Sequence, residues 1–131
     1  MIGLVTHETR VLLIQRAVEP ANGKWALPGG YMDAGEVPIE ALQRELLEEV
    51  NLAVQVESLL EIFPMVVNAG PSNGIVLAFH AVPALGASMT LCCQDDACDA
   101  RWFAADELPT ELAFESTPTL LARWQRELSE G

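Results

Sequence analysis

The run from Gly29 to Leu52 leaves this chain the fewest ways to fold. Gly29 and Gly30 permit a tight loop with close backbone approach. Pro38 suits an early helical position, where a missing N–H costs nothing. Asn51 is the second choice after glycine for a left-handed helix stop. Between these marks the spacing predicts a helix over about Pro38 to Val50. At roughly 100° per residue, Ile39, Leu42, Leu46 and Val50 fall within about 80° of arc, an apolar stripe made for a core. On the same projection Glu45, Glu48 and Glu49 share a neighbouring arc about 100° wide. A glycine loop, a helix with acids beside its buried stripe and a sharp stop make a rigid loop–helix–loop platform.

The crowding of those acids needs a physical reason. Like charges at i, i+3 and i+4 repel, and carboxylates late in a helix oppose its dipole. A hard divalent cation would relieve both, and carboxylate oxygens suit Mg²⁺ or Mn²⁺. The cluster alone leaves a second reading open. Acidic helix faces are usually just solvated, and Arg44 could pair with Glu40 or Glu48 at the surface.

The rest of the chain mixes strands with helices. Ile2–Thr6 and Arg10–Gln15 read as strands around a turn at His7-Glu8-Thr9. The unbroken run Val11-Leu12-Leu13-Ile14 is expected where a strand is covered on both faces. Trp25-Ala26-Leu27 is a short extended piece. Further strands are expected at about Val54–Phe63, Ile75–Ala81 and Ala100–Phe103. A last helix is expected to open with Thr117 as N-cap and Pro118 at its first position, burying Leu120, Leu121, Trp124 and Leu128. Phe114 is expected in the core. Together these elements predict an α/β (α+β) domain, a mixed β-sheet sandwiched between helices, over residues 1–131.

Charge narrows the partners. With 7 basic and 19 acidic residues the net charge is −12, so a nucleic-acid backbone, bound chiefly through Lys and Arg, is a poor partner. A phosphorylated small molecule stays possible if bound cations reverse the field locally. Ile62 to Gln94 contains no Asp, Glu, Lys or Arg. Asn68, Gly70, Pro71, Asn73, Gly74, Pro83 and Gly86 interrupt it, which predicts buried strands and turns and no membrane span. Cys92, Cys93 and Cys98 form no C-x-x-C pair. They are expected as reduced thiols in or near the core, in a reducing compartment, most simply the cytoplasm. No secretory leader is expected at the start.

The residues Gly30, Glu36, Arg44, Glu45, Leu46, Glu48, Glu49, Asn51 and Leu52 resemble the signature of the Nudix (MutT-like) hydrolases, G-x5-E-x7-R-E-U-x-E-E-x-G-U, with U an aliphatic residue. Asn51 is the one departure, standing where the family has glycine, and its tolerance of left-handed backbone should preserve the turn. Gly23 to Gly29 resembles the family's lead-in, and Arg101-Trp102-Phe103 through Glu107-Leu108-Pro109 a common later segment. The first strand is shorter than is usual in the family. That would leave an edge for a partner chain, with a homodimer as the candidate assembly.

The resemblance implies a Nudix fold and a metal-dependent pyrophosphohydrolase. It implies that Glu45, Glu48 and Glu49 bind Mg²⁺ or Mn²⁺ with the Gly29 carbonyl as a further ligand, Gly30 shaping the loop. Arg44 and Glu36 would form an ion pair that orients the acids. Water would attack a phosphorus of a nucleoside diphosphate linked to another group, with a glutamate such as Glu45 or Glu48 accepting a proton. Since some members place this base in a loop outside the signature, Asp96 and Asp99 are further candidates. Arg16, after a strand, is a candidate for phosphate, and Trp25 for stacking, although an aromatic beside an apolar run is more often core.

Marks of several subfamilies are missing. The sole tyrosine, Tyr31, lies inside the signature, and Pro64 and Pro71 bracket without matching a proline typical of ADP-ribose hydrolases. The stretch Arg16 to Pro20 nevertheless resembles proteins of that group. ADP-ribose or a nucleotide sugar is therefore the first expectation and a non-standard nucleoside triphosphate the second. A non-catalytic nucleotide sensor is the third, disfavoured by the intact acid set.

Overall fold

The computed structural model describes residues 1–67, 70–93 and 97–130, with backbone alone at 66–67, 70–73 and 98. Its elements in chain order are β1 (Ile2–His7), β2 (Arg10–Arg16), β3 (Trp25–Ala26), α1 (Pro38–Val50), β4 (Val54–Val67), β5 (Gly70–Pro83), β6 (Ala97–Ala104) and α2 (Ser116–Glu130). The sheet runs β3-β2-β1-β5-β4, with β6 also paired to β2. The β1–β5 pair is parallel and the others antiparallel, which makes the sheet mixed.

Side-chain alternation along the strands divides the core in two. Val5, Leu12 and Ile14 pack with Leu42, Leu46 and Val50 of α1. Leu4, Val11 and Leu13 pack with Leu120, Leu121 and Trp124 of α2. The run Val11–Ile14 is thus buried from both sides, and the sheet lies between the helices as expected.

The structure corrects several boundaries. Ile39 is 45% exposed, because it sits in the first turn of α1, ahead of Ala41 and Leu42 where burial begins. Helix α2 starts at Ser116, so Thr117 lies inside it, and its side chain is buried instead of capping. Leu128 stays partly exposed at the far end. Strands β4 and β5 extend beyond the expected limits and form one long hairpin with register shifts between Val56 and Ser58, Leu59 and Glu61, and Pro64 and Val66. Within the charge-free stretch Ile62 and Ile75 remain exposed. No helix among the described residues is long and apolar enough to cross a membrane. Cys92 and Cys93 are exposed, contrary to the expected core placement, since they follow β5 on a surface segment tied to the end of α1 by Cys92 N–H donating to the Val50 carbonyl (3.1 Å).

The short β1 does not leave a free edge. One side pairs with β5 from Ile2 to Val5. On the other side β2 pairs at Thr6 and His7, and nearer the start the glycine loop takes over. Gly3 N–H donates to Pro28 O and Gly30 N–H to Met1 O, both at 2.9 Å. The strand expected to receive a partner chain is filled from within, and the loop at Gly29-Gly30 is fixed by the same bonds.

Candidate active site

Helix α1 ends as its sequence requires. Asn51 adopts the left-handed conformation (φ 61°, ψ 35°); its N–H donates to the Leu47 carbonyl at 3.1 Å and the Leu52 N–H to the Leu46 carbonyl at 3.3 Å. With the apolar stripe locked into the core, the acids are held at its border. Glu49 is driven furthest inward, 6% exposed, and its Oε1 accepts the Gly29 N–H at 3.2 Å. A Cβ at Gly30 would collide with the Glu45 carboxyl, so the loop must be bare there for Glu45 to occupy its place.

Arg44 organises the other acids. Its Nε and Nη2 donate to the two Glu36 oxygens at 2.7 and 2.9 Å, a bidentate pair. Nη1 donates to Glu45 Oε1 at 3.1 Å and to Glu48 Oε2 at 2.9 Å. Nη2 also donates to the Tyr31 carbonyl at 3.0 Å, and Asp33 lies 3.4 Å away. The Glu36 carboxyl is held below the usual range by the Arg44 hydrogen bonds and then by the Asp33 N–H. The same acids push the Arg44 guanidinium up, Glu36 foremost. Glu45 goes the other way: burial raises its pKa, and Glu48 and Asp33 add to this against the opposing pull of Arg44.

Glu45, Glu48, Glu49 and Asp33 line one open cleft of about 1310 Å³, with Gly29 and Gly30 at its side. Among the described residues no three His, Cys, Asp or Glu side chains are already gathered in a metal-holding arrangement. Two of the acids lean on Arg44, and the third on the Gly29 N–H. The donor set is nonetheless all oxygen. Asp33, Glu36, Glu45, Glu48 and Glu49 bring five formal negative charges against Arg44 and the Met1 ammonium beside Gly30, a surplus that a hard divalent cation fits. Gathering acids around an ion requires Glu45 and Glu48 to give up part of their hold on Arg44.

Of the remaining sequence candidates, Arg16 reaches the cleft. The β2–β6 register shifts between Gln15 and Arg16, and such irregularities re-aim a side chain. The Arg16 Nε donates to Pro20 O at 2.8 Å, and its guanidinium lies 5.0 Å from the Phe114 ring centroid. Trp25 is not among the cleft residues. Its ring packs edge-on against Phe103 (5.1 Å, 81°) and under the Arg101 guanidinium (5.7 Å), because β3 turns it toward the α2-side core. Asp99 is also outside the cleft lining. One of its oxygens accepts from Arg101 Nε and the other from the Ala100 N–H, each at 2.8 Å, which occupies the carboxylate within β6. Asp96 lies outside the described residues.

Three features of the site escaped the sequence reading. Asp33 occupies a variable position of the signature, and its D-x-x-E spacing to Glu36 was its only signal. The N-terminal end of α2 brings Glu115, Ser116 and Thr117 to the cleft. Phe114, expected in the core, is half exposed and lines the cleft. Its acidic and polar neighbours Glu111, Glu115 and Ser116 were the available hint.

A mixed sheet between two helices, with an acid-bearing loop–helix–loop bordering an open cleft, is the Nudix fold. The NUDIX domain profile matches residues 1–124, and the chain belongs to the Nudix family. It is 33% identical over 113 residues to an ADP-ribose pyrophosphatase of Methanocaldococcus jannaschii, covering 86% of this chain and 64% of that protein. It is 38% identical over 109 residues to the human 8-oxo-dGDP phosphatase NUDT18, covering 82% of this chain and 32% of that protein. The chain thus spans less than two thirds of either relative. Among solved structures, a NUDIX hydrolase from Nitrosomonas europaea superposes with a TM-score of 0.84 at 27% identity, covering 98% of this chain and 70% of that one. A MutT NUDIX hydrolase from Burkholderia pseudomallei gives 0.75 at 28% identity, covering 92% of each.

Proposed function

We propose that this protein is a metal-dependent pyrophosphohydrolase that cleaves the phosphoanhydride of a nucleoside diphosphate derivative, with ADP-ribose or a nucleotide sugar as the favoured class. The observation that carries the reading is the placement of Glu45, Glu48 and Glu49 along one border of a single cleft that also receives Arg16. Glu45, Glu48, Glu49 and the Gly29 carbonyl would hold Mg²⁺ or Mn²⁺. Once bound, such a cation neutralises phosphate charge and lowers the pKa of attacking water. Water oxygen bonds to phosphorus, the bridging P–O bond breaks, and the leaving phosphate departs with that oxygen. Glu45 or Glu48 accepts the proton released by water. Arg44 and Glu36 position the acids without touching substrate, since the bidentate pair already fills the Glu36 carboxylate. Exposed Cys92 and Cys93 fit a reducing compartment, and we place the protein in the cytoplasm.

The archaeal relative supports a nucleoside diphosphate sugar. The human relative favours a second reading, removal of oxidised or otherwise non-standard nucleotides. Incubation with Mg²⁺ and a panel of both classes separates them by kcat/KM, with phosphate counted after phosphatase treatment for the nucleoside diphosphate sugars and after inorganic pyrophosphatase alone for the free nucleotides. Tight binding with no phosphate from any compound would instead make the protein a nucleotide sensor and overturn the enzymatic reading.

A further inference from the structure

Phe114 is in the wrong conformation and the wrong place for a core residue. Its φ is 62°, a left-handed conformation that is a genuine outlier for a bulky side chain. Such positions persist only where the surroundings dictate them, and they cluster at functional sites. The surroundings here are rigid. Ala113 N–H donates to the Trp25 carbonyl at 2.7 Å, and Trp25 N–H to the Glu111 carbonyl at 2.8 Å. Ala113 and Thr117, on either side, are each 1% exposed. Between these anchors the chain turns into α2, and the Phe114 ring is left 50% exposed in the cleft that holds the α1 acids. It belongs to neither core cluster. The Arg16 guanidinium covers part of the ring from 5.0 Å, and its bond to Pro20 O ties it down.

From these contacts we propose that Phe114 is the specificity-determining residue of the cleft, a platform on which the base of a nucleotide stacks. A flat π-surface steadied by a cation and half open to the cleft suits a planar heterocycle, because stacking is favourable for every base. An alkyl chain presents no matching face. The ligand class is therefore a nucleoside phosphate, with its base on Phe114 and its phosphates toward α1. Stacking also explains how one cleft could accept several bases, since it reads a π-face and not a hydrogen-bond pattern.

The proposal rests on the reading above for the scissile end and has its own test for the base. Phe114→Ala, Phe114→Leu and Phe114→Tyr are compared with the unaltered protein on nucleoside diphosphate derivatives and on an alkyl diphosphate without a ring. Alanine and leucine are expected to raise KM for the nucleoside substrates about ten- to a hundredfold, with kcat within about twofold. Tyrosine restores KM, and the alkyl diphosphate is handled alike by all four proteins. Calorimetric titration at saturating Mg²⁺ with AMP, which has no phosphoanhydride to cleave, reads the same contact without hydrolysis. It should show weakening by alanine and leucine and recovery by tyrosine. If no compound is cleaved while AMP binding follows this order, the hydrolase reading fails and the platform stands. Leucine matching the unaltered protein, equal losses on both substrate classes, or no AMP binding by the unaltered protein would overturn the platform. Melting temperatures within about 2 °C of one another show that the variants fold.

Discussion

At the level of single residues the informative contrast is between Glu49 and Glu45. Glu49 is buried and has a backbone donor in Gly29. Glu49→Gln keeps the volume and an acceptor oxygen and removes only the charge. Its melting temperature without metal should stay within about 2 °C of the unaltered protein, while kcat with Mg²⁺ falls at least about a hundredfold. Full Mg²⁺-dependent turnover in this variant would remove Glu49 from the site. Glu45 makes a prediction about pH. Burial, ahead of its charged neighbours, raises its pKa in the folded chain. Between the unfolded value of about 4.3 and the raised one, the folded state therefore holds more protons. The contribution of Glu45 to stability is fully present below the unfolded value and is lost as pH rises through the folded one. In metal-free protein, Glu45→Gln should flatten the decline of melting temperature with rising pH across that window and be at least as stable at pH 7. An unchanged slope would show that other groups set it.

Among the elements, the bounds of α1 were legible to the residue because its signals are local: Pro38 begins it, the stripe from Leu42 to Val50 faces the core and Asn51 ends it. That stop gives a direct test. Since Asn51 sits at φ 61°, Asn51→Gly should leave stability within about 0.5 kcal/mol, whereas Asn51→Val should cost about 1–2 kcal/mol. Urea unfolding measures both, and a tolerated valine would mean the turn relaxes. The loop against α1 gives another. Gly30→Ala puts a methyl group where the Glu45 carboxyl lies, and a side chain can move aside. The fold should survive while stabilisation by Mg²⁺ shrinks, and a thermal shift titration with and without Mg²⁺ reads both effects. The facing ends of β4 and β5 were not legible, because the Pro, Asn and Gly residues between Phe63 and Ile75 read as turn marks and no charged residue there shows where burial stops. Nor was the split of Arg44 among Glu36, Glu45, Glu48 and Asp33, although spacing allowed Glu48 and the resemblance supplied Glu36. Phe114 and the start of α2 reach the cleft through tertiary contacts with β3, of which the polar neighbours Glu111, Glu115 and Ser116 gave no more than a hint.

On the scale of the whole molecule, a net charge of −12 acts on metal and substrate with opposite sign. The summed field concentrates divalent cations around the protein and opposes the approach of a polyanion. Salt weakens both effects, since the screening length falls from about 10 Å at 0.1 M to about 3 Å at 1 M. Metal affinity should therefore drop several-fold as KCl is raised from about 0.02 to about 0.5 M, as read by Mn²⁺ titration. At saturating Mg²⁺ the KM for a nucleoside diphosphate derivative should stay level or fall over the same range. A protein that captured its substrate on a basic surface would show the reverse, with KM climbing steeply as salt displaces the phosphates. Among the described residues Arg16 is the one basic side chain that lines the cleft, and it is bonded to Pro20 O and set against Phe114. Attraction of phosphate must then come from cations held by Glu45, Glu48 and Glu49, and substrate capture should depend on metal first and on salt only through it. A KM that rises with salt at saturating Mg²⁺ would mean that protein cations, Arg16 foremost, draw the substrate in directly.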